Sequence, residues 1–519
     1  MDEARRLPRN VTALTRIVRE QAVTIKAKDF EIEHLRLQVA RLRRLKFGQS
    51  SERFIGDAEQ LTFLGDAKAP SPPAAVMDVA KDEPVPAPKQ PVRGTLPEHL
   101  PRETVQLPSP CGCPDCGGKL RKIGTVTSEI LEIVPTQLKV KRVLRDKFSC
   151  AACDTVVAPV PPARPIAGSY VGSSLLAFVV SSKFCYHMPY YRLAQMLTRL
   201  GYPIDRSVLT QWAKGGYEAT RLLVSALGDY VLSAGKLHAD DTPFKVLQPG
   251  SGSTKKGRLW AYVRDERPWK SGAPPAAWYQ YSPTWEGKYP QRHLKSFEGT
   301  LQADGYKGYG ALYESRAPGE PPRVLESGCC AHCRRHFEEL YKALKSPVAA
   351  QALARIKQLY RIEREVRGNS AEERRVQRQA RAGPILEALR AWFSEMLDQT
   401  SRKGALGLAL QYPLNRWEAL CRYRDDGRLE IDNLAAERAL RGPGLGRKNM
   451  IFFGSDAGGE RAAGLYSLVE SAKLNNLDPE AYLRYVFERI ASHPINRIQE
   501  LLPWHVAPAL APGQEAKAA

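Results

Sequence analysis

Two close pairs of cysteines and three acidic motifs are the parts of this sequence best suited to chemistry. Cys113-Pro-Asp-Cys116 and Cys150-Ala-Ala-Cys153 are C-x-x-C knuckles, each able to turn two sulfurs toward one ion. Four thiolates around tetrahedral Zn²⁺ make a closed, structural site with no open position for a substrate. Gly117 and Gly118 let the backbone turn beneath the first pair. Cys111 is close enough to replace Cys113 as a ligand. Two redox pairs are the alternative reading of the same spacing.

The acidic motifs are KLHADDTP, with Asp240 and Asp241; LQADGY, with Asp304; and DNLAAERALR, with Glu437. The first two are apolar stretches that end in Asp just before a turn-forming residue, as strand ends do. The third reads as a helix start, with Asp432 or Asn433 as cap and Glu437 and Arg441 one turn apart. Gly442 and Pro443 are expected to end that helix. Carboxylates suit a hard cation such as Mg²⁺, and three of them can hold two ions for displacement at a phosphodiester. Taken singly, a strand-end Asp is often only a turn former, and a Glu–Arg pair only a surface ion pair.

Positioning such groups requires a scaffold, and the sequence divides accordingly. Val11, Leu14, Val18, Ile25, Ile32, Leu35, Val39 and Leu42 follow steps of three and four, the seam of a coiled coil over residues 1–55. Residues 56–100 are rich in Pro, Ala and charge and read as a disordered linker. The cysteine pairs sit in a zinc-binding module, residues 101–160. Residues 161–232 read as helical, with a helix-turn-helix-like pair around Gly201 and Val208, Leu209 and Trp212 on the second helix's apolar face. Short strands follow from 233. A helical, strongly charged insertion at about 335–425 interrupts a catalytic core of 233–455. A C-terminal segment (456–507) and a disordered tail (508–519) complete the plan.

Lys and Arg outnumber Asp and Glu by 77 to 56, a net charge of +21 that favours a polyanionic partner, because phosphate binding releases counterions. No apolar run is long enough to span a bilayer and no signal segment opens the chain. The expectation is a cytoplasmic protein without a membrane partner, in which the cysteines stay reduced.

Taken together the motifs resemble the transposases of the IS66 insertion-sequence family. The resembling pieces run from the zipper-like helix and CPDCGGKL…CAAC through HADDTP, GRLWAYVRD, QADGYKGY, CCAHCRRHF and DNLAAERALR to GRKNMIFFGSDAGG and ELLPW. The resemblance implies a multidomain α+β protein: a coiled-coil helix, a zinc-ribbon-like module, and an RNase H-like α/β core with a helical insertion. It implies a DDE transposase whose triad maps to Asp240, Asp304 and Glu437, holding Mg²⁺ or Mn²⁺, with structural Zn²⁺ on the cysteines. His332, Arg334, Arg335, Arg441, Arg447 and Lys448 would line the DNA groove. The partners would be terminal inverted repeats and target DNA, a second copy of the chain, and small accessory proteins of the same element.

Two departures from the family pattern stand out. Asp241 replaces the usual Glu after Asp240, and Met450 replaces the usual Trp after Arg-Lys-Asn. Neighbours on a strand face opposite ways, so one of Asp240 and Asp241 should face the metals; the motif favours Asp240. A DNA-binding remnant without activity, or a metal nuclease without strand transfer, would show the same residues.

Overall fold

The computed structural model describes residues 163–511 apart from positions 249, 316 and 318, with isolated positions between 15 and 39 and short pieces at 137–138, 140, 148–149 and 156–157. The chain forms two compact units, 1–54 with 143–519, and 55–142. In the second, only positions 137, 138 and 140 are described, none in regular structure. In the first, the described positions between 15 and 39 are helical, and Val18, Ile32, Leu35 and Val39 of the heptad are exposed. Cys111, Cys113, Cys116, Cys150 and Cys153 lie outside the described residues. Phe148–Ser149 and Val156–Val157 pair antiparallel on either side of the second knuckle.

The centre is a mixed sheet of β1 (Lys236–Leu247), β2 (Thr254–Arg264), β3 (Ala276–Ser282), β4 (Gly299–Gln302) and β5 (Val324–Ser327). Its order is β3-β2-β1-β4-β5; the first three strands are antiparallel, and β4 and β5 run parallel to β1. Leu259 to Val263 of β2 are all buried, so the strand reads as a continuous apolar run because both its faces are covered. A short strand, β6 (Phe452–Phe453), pairs with the far end of β1.

Before the sheet come α1 (Ser173–Phe184), α2 (Tyr190–Arg199) and the long α3 (Arg206–Leu232). Gly201 turns between α2 and α3 at φ +89°, where glycine is at home. Asp205 caps α3 by accepting from Ser207 N–H. Leu209 and Trp212 are buried, so the apolar face of this helical pair packs inside the protein.

A helical stretch follows β5, over about the residues where an insertion was expected. It comprises α4 (Cys330–Leu344), α5 (Pro347–Val366), α6 (Ala371–Gln377), α7 (Gly383–Asp398), α8 (Ala405–Asn415) and α9 (Trp417–Asp425). Phe337, Ile356, Leu359, Phe393 and Leu410 form its own apolar core. A π-helical turn, Arg378–Ala382, joins α6 to α7 and points Arg378 inward. There Arg378 donates to Glu363 at 2.6 Å and to the carbonyls of Tyr423 (2.9 Å) and Leu429 (3.0 Å). Arg374 donates to Glu430 at 2.6 Å. The insertion is thus bolted to the segment that leads into the third acidic motif.

That motif forms α10 (Leu434–Ala439), followed directly by α11 (Arg441–Met450). The expectation that Gly442 and Pro443 stop the helix is corrected here: Pro443 falls in the first turn of α11, where its missing N–H costs no hydrogen bond. Ile451 ends α11 at φ +65°, a strained conformation for a β-branched residue. Then α12 (Asp456–Leu474) lies across β3: Ser467 and Ser471 side-chain oxygens accept the N–H groups of Tyr279 (2.8 Å) and Ala277 (3.0 Å). A last helix, α13 (Pro479–Arg489), packs on α1. Among the described residues no helix is long and apolar enough to cross a membrane.

Candidate active site

The parallel register of β1 and β4 pairs Leu237 with Leu301 and His238 with Gln302. Continued by two residues, it sets Asp240 beside Asp304; the expectation that both end strands is corrected for Asp240, because β1 runs on to Leu247 along its antiparallel partner, whereas Asp304 follows the end of β4. Asp240 accepts the N–H of Asp241 at 2.8 Å. Asp304 accepts the N–H of Tyr306 at 3.1 Å, closing a tight turn through Gly305 at φ +88°. The insertion clamps that turn, with the Tyr412 hydroxyl on the Asp304 carbonyl (3.1 Å) and Arg416 on the Gly305 carbonyl (2.7 Å).

Glu437 reaches the same place from α10. Asp432 caps this helix by accepting the Leu434 N–H at 3.2 Å. Asn433 is used differently: its amide donates to the Ala239 carbonyl at 2.8 Å, and its oxygen lies 3.1 Å from His238 Nδ1. His238 Nε2 is 2.9 Å from Lys236 Nζ. An ammonium can only donate, so Nε2 accepts and Nδ1–H donates to Asn433. Burial, and then Lys236, hold His238 well below the usual imidazole range, as this neutral tautomer requires. The chain Lys236–His238–Asn433–Ala239 thus fastens the strand of Asp240 to the helix of Glu437.

Burial, and beyond it the charges of Asp304 and Glu437, push the Asp240 carboxyl up to about 8. Burial also raises Glu437 against the pull of Arg335 and Arg441, and raises Asp432 to about 7. Three acids from distant segments meet in a half-buried pocket where at least one keeps its proton near neutrality. Arg335 Nη2 stands 3.9 Å from Glu437 Oε1, and so does His332 Nδ1, a ring that burial lowers to about 4 and so keeps neutral. Hard oxygen donors short of positive charge are the donor set of a divalent cation.

Asp241 points elsewhere. It pairs with Arg258 at 2.8 Å and accepts Trp285 Nε1–H at 3.1 Å. Arg258 stacks over Trp285 (4.0 Å), and Trp285 lies parallel to Tyr306 at 4.7 Å. Of the basic residues singled out from sequence, Arg335 and Arg441 are exposed and act on Glu437. Arg334 pairs with Glu338 at 3.6 Å along α4. Arg447 is tied to the Thr242 hydroxyl (3.1 Å) and the Pro243 carbonyl (2.8 Å), and Lys448 is exposed. The sequence reading missed Lys236, His238 and the role of Asn433; a histidine and lysine alternating on an otherwise apolar strand was the available signal.

Sequence comparison defines the class of protein to which this site belongs. The model of the transposase IS66 family matches residues 168–461, and that of the IS66 C-terminal element matches 467–504. Models for the zinc-finger binding domain of transposase IS66 (110–154) and for "Transposase C of IS166 homeodomain" (34–105) match the N-terminal part. The chain belongs to the IS66 transposase family. Relatives in Sinorhizobium fredii include the uncharacterized protein y4jD, 37% identical over 514 residues (96% of this chain, 97% of the relative). The uncharacterized protein y4hP of the same organism is 35% identical over 491 residues, covering 91% of this chain and 88% of its own.

Proposed function

We propose that this protein binds the terminal inverted repeats of an insertion sequence, cuts DNA there and joins the freed ends to a target. Asp240, Asp304 and Glu437 would hold two divalent cations, Mg²⁺ or Mn²⁺. The observation that carries this reading is the convergence of these carboxylates, with Asp240 kept protonated near neutrality by burial and by the charges of Asp304 and Glu437. The strand order, three antiparallel strands followed by two parallel ones, supports an RNase H-like core. Bound cations supply Lewis-acid activation of the attacking hydroxyl and of the leaving oxygen.

The protein's own groups do the rest. Asp240 gives up its proton when the site fills, and the Lys236–His238–Asn433 chain keeps Glu437 in reach of both aspartates. Arg335 and Arg441 face phosphate, and Arg334, Arg447 and Lys448 extend the basic wall. His332 lies at the floor of the groove. Cys113, Cys116, Cys150 and Cys153 would hold a structural Zn²⁺, and the heptad would pair two copies through a coiled coil.

The test is cleavage of DNA carrying the element's ends with Mg²⁺, comparing wild type with Asp304→Asn and Glu437→Gln. Both variants should bind the DNA without cutting it. Cutting at the wild-type rate would remove these acids from the reaction. Pre-cut ends assayed for joined product separate a transposase from a nuclease.

A further inference from the structure

Beside the acidic pocket, Cys329, His332 and Glu437 present a sulfur, a ring nitrogen and a carboxylate oxygen that all lie within 4.8 Å of one another. Cys329 is the N-cap of α4 and His332 lies in its first turn, three residues later. Cys-x-x-His is a metal-knuckle spacing. Two of the three donor atoms, His332 Nδ1 and Glu437 Oε1, are shut off from solvent without a hydrogen-bond partner. An unpaired buried nitrogen and oxygen facing each other at 3.9 Å are costly unless something sits between them. The third atom, Cys329 Sγ, is fully buried and accepts the Asn433 backbone N–H at 3.2 Å. Such an N–H is the outer-shell partner that a metal-bound thiolate uses.

We propose that Cys329, His332 and Glu437 form a second metal site, for one thiophilic divalent ion of the Zn²⁺ class. Three protein ligands leave a fourth, open position, unlike the closed Cys₄ arrangement expected from the N-terminal knuckles. Binding replaces the thiol proton: Cys–SH plus M²⁺ gives Cys–S–M⁺ and H⁺. A hard ion such as Mg²⁺ has no use for the sulfur, so the site discriminates by softness. Because it takes Glu437, its occupant competes with the cations of the acidic pocket; this consequence, unlike the site itself, rests on the proposed function.

The experiment is a Co²⁺ titration of the full-length protein loaded beforehand with a single equivalent of Zn²⁺, which the closed four-thiolate site of the N-terminal knuckles takes first. Wild type should show a sulfur-to-cobalt charge-transfer band that Cys329→Ser lacks. His332→Ala, which removes the ring nitrogen, should weaken binding by more than about tenfold. Circular dichroism establishes that both variants are folded. The same band and stoichiometry in all three proteins would overturn the site. In the cleavage assay with excess Mg²⁺, micromolar-range Zn²⁺ should slow wild type more than it slows Cys329→Ser, and equal inhibition would overturn the competition. If Asp304→Asn cuts DNA normally, the proposed function fails while the cobalt result stands by itself.

Discussion

Asp240→Asn should make the cation-free protein more stable, and Mg²⁺ should reverse the ranking. Asp240 is raised to about 8 in the folded chain against an ordinary value of 3.8. A carboxyl raised by folding contributes its stability fully below the unfolded value and loses it as pH climbs through the folded value. At pH 7 the unfolded carboxyl is ionised while the folded one keeps its proton. At about 1.4 kcal/mol per pH unit, the distance from 3.8 to 7 is a cost of about 4 kcal/mol. Asparagine carries no charge in either state and keeps an oxygen for the Asp241 N–H, so it escapes this cost. The gain has about 4 kcal/mol as its ceiling and corresponds to several degrees in the melting temperature of the core. Thermal unfolding at pH 7 and at pH 4, each with and without Mg²⁺, reads it out. The variant should melt higher than wild type at pH 7 without Mg²⁺ and equally at pH 4. Only wild type should gain much from Mg²⁺ at pH 7. Coincident cation-free melts at pH 7, or an equal gain from Mg²⁺ in both proteins, would refute the reasoning.

Other outcomes follow from the supports around the pocket. Asn433→Ala strands the buried His238 Nδ1–H and the Ala239 carbonyl and should cost about 2–4 kcal/mol, measured by urea unfolding. It should also raise the Mg²⁺ concentration needed for half-maximal cutting, because Glu437 is no longer fixed to the strand of Asp240. Arg378→Met leaves Glu363 with only the longer 3.8 Å contact to Arg374 and should destabilise the helices of 330–425 by about 3 kcal/mol, visible as faster hydrogen exchange there. Arg335→Ala and Arg441→Ala should each lower the salt dependence of DNA binding by about one counterion, read as the slope of log K against log salt. An unchanged slope would take that arginine off the phosphates.

Much of this architecture was legible because it is local. Each strand announces itself as an apolar run closed by a turn, and the long gap between Asp304 and Glu437 announces the insertion. Asp304 follows the end of β4 as its motif suggested, but Asp240 lies inside β1, because the antiparallel partner β2 carries that strand on to Leu247. What escaped the sequence reading depends on contacts across long separations. His238 and Asn433 are 195 residues apart, and no local rule marks them as partners. Asp241 could not be separated from Asp240 by type alone; the cross-strand Arg258 and the stacked Trp285 claim it. Pro443 read as a stop because sequence shows a proline, not which turn of a new helix it occupies. His332 read as a lining of the DNA groove, since the approach of Glu437 from another helix is a tertiary fact.

The serines of α12 have a consequence for how copies of this protein can associate. Ser467 and Ser471 take the Tyr279 and Ala277 amides of the border strand β3, where an incoming strand would otherwise bond. At the opposite border, Arg422 donates to the Glu326 carbonyl, and the Gly328 amide goes to Ala419 of α9. Both margins are spoken for by the chain's own helices. Templated growth of the sheet by another copy is therefore disfavoured at either side. Copies of this basic protein can then meet through side-chain surfaces without the core seeding aggregates.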